Sequence, residues 1–445
     1  MSNTVKVLQK GAFHLEAGKA GVGQSPGWGQ ANSAASLGTN DAYPWLSWPR
    51  GKNINHAVDN SIIGNAFKDI PRKVGEHVEK PISMYSRFEG MEALYYWMFG
   101  FANSVLPVVC FVVDTPSVEP LAGAVYDDTD DNTFTFLRKE TWGSTVYYVF
   151  KAEDSASPAL ATGDLTKASG TGDATLSFTA HSTVLYEHLF ELDELGRSYV
   201  PYPAAEQITG YSAGDKKNRM ATIGTKMGTN DFRYKNAMCS SFGFRSNAGQ
   251  LGETFAEFIA HDEERGSYNS AGWTYPSTRI SNDNIVAHHQ FTVQVGPSEA
   301  ALTALGVTAF ETGCQIPLEV MQDTLSGTHI SEPTIEGKYD LALGMTLSRY
   351  SAETFQNYRD SWSNVVARIA GNYGYMMQEL LYNDLIVGEA GPDESDVAKE
   401  PLVLYTGYNS NNNWSNWLHG NSLLQNGPMV LRVRTTESQN QMFAN

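Results

Sequence analysis

Between positions 338 and 350 the chain reads KYDLALGMTLSRY, with Tyr339, Leu341, Leu343, Met345 and Leu347 at every second position. A period of two puts all five on one face of a strand and scatters them around a helix, so this segment belongs in a sheet with one covered face. HHQFTVQV and GCQIPLEVMQ repeat the alternation, and PLVLYTGY and PMVLRVRTT read as late strands. The 22 Tyr, 20 Phe, 9 Trp and 40 Gly among 445 residues suit pleated surfaces and tight turns. The expected class is mainly β, of the α+β kind.

Two periods compete in residues 239–260, CSSFGFRSNAGQLGETFAEFIA. Phe242 and Phe244 alternate as in a strand, whereas Leu251, Phe255, Phe258 and Ile259 fall at i, i+4, i+7 and i+8. Read as a strand instead, Thr254, Ala256, Phe258 and Ala260 share one face. At the level of residues both readings stand: a strand running into a helix, or a hairpin.

EKPISMYSRFEGMEALYYWMFG combines an alternating run over 81–88 with a compact helical run over 89–99, stopped by Gly100. Residues 93–113 form a 21-residue stretch without a charge, long enough to span a bilayer. Gly100, Asn103, Ser104 and Pro107 divide it, which predicts a buried helix followed by a buried strand and no membrane span. A second helix is expected after Ser351. SRFEGMEALYYW (86–97) and SRYSAETFQNYRDSW (348–362) share a strand ending in Ser-Arg-aromatic followed by a helix, a weak internal duplication.

Residues 1–60 are rich in Gly, Ser and Asn and read as an extended arm that docks through Trp28, Trp45 and Trp48. Residues 116–185 read as a small all-β insertion with long turns. The N-terminus carries no long apolar run, so no signal peptide is expected. Cys110, Cys239 and Cys314 are odd in number, widely spaced and without a CxxC pair, and read as reduced core residues.

With 41% hydrophobic and 18% charged residues the chain is globular. A formal charge of −18 opposes the sign that phosphate binding requires, and on composition alone it reads as solubility. GYSAG (210–214) matches a nucleophile-elbow pattern at Ser212, but Pro201 and Pro203 break the strand it needs and DKKNRM offers no apolar helix face. DDTDDNTF (127–134) begins like a calcium loop, yet Thr133 stands where Gly is needed and Lys139 where the last carboxylate is needed. HDEE (261–264) and the pair His288/His289 lack metal-ligand spacing. YNSNNNWSNW (408–417) reads as a turn-rich loop anchored by aromatics. No catalytic set, metal or cofactor is expected.

The order of these elements resembles the tail tube (major tail) proteins of long-tailed, siphovirus-like bacteriophages. EKPISMYSRFEGMEALYYWMFG is similar to that family's early strand and helix. YKNAMCSSFGFRSNAGQLGETFAEFIAHDEE (234–264) is similar to its central hairpin. GCQIPLEVMQDTLSGTHISEPTIEGKYDLALGMTLSRY (313–350) is similar to its later strand, linker and long strand, and GTGDATLSF resembles turn-strand units of phage structural proteins. The resemblance implies tandem β-sandwich or barrel domains each flanked by a helix: a first over 61–115 plus 186–280 and a second over 281–445. It tips 239–260 to a hairpin turning near 247–249.

In function it implies a non-enzymatic virion protein, assembled in the host cytoplasm. Homotrimeric rings would stack into a hollow tube that conducts double-stranded DNA during ejection without specific binding. The implied partners are the protein itself, a tape measure protein in the lumen, and tail terminator and distal tail proteins. Another virion structural or adhesive role, as a decoration, distal tail or glycan-binding component, is the alternative. Under the tube reading the negative charge gains a use, because an acidic lumen repels phosphates. Glu253, Glu257, Asp262, Glu263 and Glu264 are the lumen candidates, and Trp28, Trp45 and Trp48 the inter-ring or inter-subunit contacts.

Overall fold

The alternating runs find partners: every ladder between strands of the computed structural model is antiparallel. The structure describes residues 9–15, 37, 41–47, 51, 53–57, 72–99, 102–154, 156–158, 160–191, 199–201, 216–218, 220–227, 230–266, 268, 270–298, 301–320, 329–331, 333–335, 339–347, 365–390, 400–406 and 429–437. In chain order, β1 (Gln9–Leu15), β2 (Ala42–Tyr43), β3 (Trp45–Ser47), β4 (Asn53–Ala57) and β5 (Arg72–Tyr85) precede α1 (Glu92–Phe99). Next come β6 (Ala102–Val113), β7 (Val125–Asp127), β8 (Thr133–Trp142), β9 (Thr145–Ala152), β10 (Gly163–Ser169) and β11 (Thr175–His181). β12 (Leu185–Glu191), β13 (Tyr199–Pro201), β14 (Lys216–Asn218), β15 (Met220–Met227), β16 (Asn230–Asn247), β17 (Glu253–Ala260) and β18 (Asp262–Gly266) lead to the short α2 (Ser277–Ile280). The last part holds β19 (Phe291–Gly296), β20 (Thr303–Leu305), β21 (Val307–Gln315), β22 (Leu318–Glu319), β23 (Thr334–Ile335), β24 (Asp340–Leu347) and β25 (Val365–Tyr373). β26 (Met376–Ala390), β27 (Glu400–Thr406) and β28 (Met429–Thr435) complete it.

The expected all-β insertion closes on itself. With β6 its strands form a six-stranded antiparallel barrel in the order β6-β9-β8-β7-β10-β11 and back to β6. Closure satisfies both edges of a sheet too small to hide them otherwise. Phe111 fills the interior, its ring 5.1 to 5.4 Å from those of Phe134, Phe150 and Phe178. The N-terminal half of β6 leaves the barrel and pairs with β12, which joins the barrel to the larger sheet.

A register shift between Phe136 and Arg138 governs that junction. Phe134 and Phe136 point into the barrel. One extra residue reverses which face the following side chains occupy. Arg138 therefore pairs opposite Val149, which packs with Cys110 and Leu185 on the barrel's outer side. There Arg138 and Glu140 meet Glu187 of β12, Glu379 of β26, Arg368 of β25, and Arg432 and Arg434 of β28. Glu140 is the hub. It accepts from Arg138 Nε at 2.7 Å, Arg434 Nη2 at 2.9 Å and Trp142 Nε1 at 3.1 Å, with Arg432 Nη2 at 3.5 Å. Arg138 also pairs with Glu187, and Glu379 with Arg368 and Arg432. Burial by itself raises a carboxyl's pKa; Arg434, Arg138 and Arg432 overturn that for Glu140 and hold it well below the usual range. Arg368 and Arg432 likewise outweigh burial at Glu379 and lower its pKa.

α1, EALYYWMF, has no polar stripe, and all eight residues are buried, as a helix apolar all round requires. Trp97 donates to the Ala237 carbonyl at 2.9 Å and meets Phe13 edge-on, while Tyr95 lies against Phe190 and Phe244. Burial, reinforced by Glu437, raises the pKa of Glu92 well above the usual range. The buried helix and following strand read from residues 93–113 are α1 and β6, and no described helix is long and apolar enough to cross a membrane. The three cysteines are buried.

Two expectations change. The described part of residues 1–60 is not a free arm. β1 pairs along its whole length with β15, and Phe13, Tyr43 and Trp45 are buried. Trp45 lies so close over Gly11 that a Cβ there would stand 1.6 Å from its ring. This tryptophan is committed to the chain's own core; the QKGAFHL run beneath it is too short and too Gly-flanked for its period of two to stand out in the sequence. Trp28 and Trp48 lie outside the described residues. The tandem division at residue 280 is also not a division of cores: Ile82, Trp97 and Phe242 share one hydrophobic cluster with Leu343, Ile369 and Leu431. The helix expected after Ser351, and with it the second half of the internal echo, lies outside the described residues.

Candidate functional site

Residues 239–260 are a hairpin. β16 turns through 247–250, where Gly249 takes φ +76° and Gln250 N–H donates to the Asn247 carbonyl at 3.0 Å, and β17 returns beside it. Only a residue without a Cβ takes that φ without strain. β5 pairs outside β17, and β21 and then β24 pair on the other side of β16. The result is an antiparallel array whose central five strands run β5-β17-β16-β21-β24, with β27 continuing it beyond β24. One face is packed on the core by Met84, Ala256, Phe242, Cys314 and Leu341.

The other face follows from the registers. Across the array Tyr85, Glu253, Arg245, Glu311 and Gly344 stand opposite one another in one row. Ser83, Phe255, Gly243, Gly313 and Ala342 form the next, and Pro81, Glu257, Ser241, Gln315 and Asp340 the third. The carboxylates of Glu253, Glu257, Glu311 and Asp340 outnumber the one cation, Arg245. Arg245 is engaged: it donates twice to Glu253 and lies 5.6 Å over the Phe255 ring. Of the uncharged side chains on this face Tyr85, Phe255 and Gln315 are large, and the rest are Ser, Pro, Ala and Gly. A Cβ on Gly313 would meet nothing within 4 Å, and one on Gly344 only a carbonyl at 3.8 Å, so this part of the face is bare. At Gly243 the Phe255 ring and the Thr312 carbonyl fill that space. Gly313→Val is expected to leave the unfolding free energy from denaturant titration within about 1 kcal/mol of wild type, while Gly243→Val costs about 1–3 kcal/mol by overpacking. Equal losses would show that the face is covered.

Of the five acidic candidates read from the sequence, the fold brings Glu253 and Glu257 onto this face. It places Asp262, Glu263 and Glu264 elsewhere, on β18 against the first half of β16. Glu264 accepts from Arg233 and from Lys235, the latter at 2.9 Å. Burial opposes its ionisation, and these hydrogen bonds nevertheless hold it below the usual range. Glu263 accepts from the Tyr234 hydroxyl at 3.0 Å. Glu311 and Asp340, which complete the face, were missed. The signal was the alternation itself, since both occupy the polar parity of β21 and β24.

The other motifs resolve into structure. Asp128 in DDTDDNTF accepts from the backbone of Asp130 and Asn132, both at 2.9 Å, and from the Asn132 side chain at 2.8 Å, tying a turn in which Asp131 takes φ +62°. His288 opens a one-turn 3-10 helix, its ring between Ser246 Oγ at 3.1 Å and the Val307 carbonyl at 3.0 Å. Ser212 and the loop at 408–417 lie outside the described residues. Set against known protein-family models and curated proteins, the chain matches none.

Proposed function

We propose that this chain is a virion structural protein whose homo-oligomeric rings stack into the hollow tube of a phage tail, with the bare acidic face turned to the lumen. The observation that carries the reading is that face: one side of a continuous antiparallel array lies on the core, and the other carries four carboxylates against one paired arginine, with small residues around Gly313 and Gly344. A passage for DNA is served by a wall on which carboxylates outnumber cations and the exposed arginine is already paired with a glutamate. The element order shared with tail tube proteins supports the same reading. Trimeric rings, a tape measure protein within the tube and tail terminator and distal tail proteins at its ends belong to this proposal. The six-stranded barrel, closed and without free edges, suits the tube's outer surface.

Electron microscopy of the purified chain and of virion tails tests it. Stacked rings or hollow tubes are expected; a protein monomeric at every concentration and missing from tails overturns the proposal. The charge argument has its own measurement. Tubes of a Glu253→Lys, Glu257→Lys, Glu311→Lys variant are expected to retain short duplex DNA at low salt and release it as salt rises, while wild-type tubes retain none. Indifference of the variant to DNA would show that this face does not line the channel.

A further inference from the structure

Away from the acidic face, the fold gathers a second set of polar groups that local spacing does not reveal. Residues 76 and 329 form a parallel β-bridge, and β18 begins beside them. Glu76, Asp262 and His329 each offer one ligand atom, and these atoms all lie within 4.8 Å of one another. Glu76 is 5% exposed. The imidazole of His261 packs against that of His329, with ring centroids 4.5 Å apart. From these contacts we propose that Glu76, Asp262 and His329, with His261 against them, bind a divalent transition-metal ion of the zinc class.

The geometry and the chemistry agree. His329 Nε2 stands 3.7 Å from Glu76 Oε1. That is too long for a hydrogen bond, yet near the ~3.3 Å that separates two donors sharing a tetrahedral zinc ion. Two carboxylates this close repel, and the more deeply buried the pair the stronger the repulsion; a dication between them turns it into attraction. Imidazole nitrogen mixed with carboxylate oxygen selects zinc-like ions over calcium or magnesium, which prefer oxygen alone. Lys235, opposite Asp262 in the ladder, has its Nζ bound to Glu264 at 2.9 Å. The ligands come from three distant points in the chain, so an ion here cross-links the segment at 329–331 to β5 and β18, and binding adds to folding stability.

The full-length protein, freed of metal with a chelator, is titrated with Co²⁺ and followed by visible absorption. One saturable site per chain is expected, with the intense bands of four-coordinate cobalt, displaced by Zn²⁺. His329→Ala and, separately, the conservative Asp262→Asn each lose at least tenfold in affinity, with unchanged circular dichroism showing that they fold. His289→Ala binds as wild type. Zn²⁺ raises the melting temperature of wild type and not of His329→Ala. Absence of saturable binding to wild type, or affinities in both folded variants equal to wild type, overturns the proposal.

Discussion

Glu140→Ala is expected to cost about 3–5 kcal/mol of stability, read as a lower denaturant midpoint at unchanged slope. Removing this carboxylate takes away an acceptor of Arg138, Arg434 and the Trp142 indole at once, and leaves guanidinium charge in a site where Arg432 and Arg434 are almost fully buried. The penalty is that of stranded charge, not of a lost surface pair. A loss under about 1 kcal/mol would show that water reaches the junction. The same cluster predicts acid lability. The folded-state pKa values of Glu140 and Glu379 are depressed below the ordinary ~4.3 of an unfolded glutamate. Their contribution is therefore fully present above that pH and is lost as pH falls through the lower folded values. Glu140→Ala is expected to flatten this acid limb of the stability profile, and an unchanged limb would remove the assignment.

Trp97→Ala is expected to cost about 3–5 kcal/mol, the range for emptying an aromatic site in a core that cannot collapse around it. Trp97 is 0% exposed in a helix enclosed on every side, and its indole satisfies the Ala237 carbonyl on β16. Trp97→Phe keeps most of the volume and gives up the hydrogen bond, so a loss of about 1–2 kcal/mol is expected. Similar losses for Ala and Phe would mean that the hydrogen bond and not the packing fixes α1. Both variants are measured by chemical unfolding alongside Leu121→Ala, at a 61% exposed position, expected within about 0.5 kcal/mol of wild type.

Local pattern made much of the fold legible. KYDLALGMTLSRY could only be a strand, and β24 buries Leu341, Leu343, Met345 and Leu347 on one side. EALYYWMF, apolar all round and stopped by a glycine, could only be a buried helix. The acidic face was half legible: Glu253 and Glu257 were found, Glu311 and Asp340 were not, because their membership depends on which strands lie side by side. Asp262, Glu263 and Glu264 looked like a continuation of the same acidic run. The chain bends at His261 and pairs them with another part of β16, where Arg233 and Lys235 take up Glu264.

The sequence by itself determined the mainly β class, the enclosed helix and the all-β character of residues 116–185. All of these follow from interactions within a few residues: side-chain period, turn chemistry and composition. Only the tertiary structure decided that residues 9–15 pair with β15, that the insertion closes into a barrel with β6, and that both halves share one core. It also decided which way Arg138 and Glu140 face. In the sequence they continue the parity of Phe134 and Phe136; one extra residue in the ladder turns them from the barrel's interior to its junction. Strand order, ladder register and bulges are set by partners tens to hundreds of residues away, and a period-2 pattern carries no record of them.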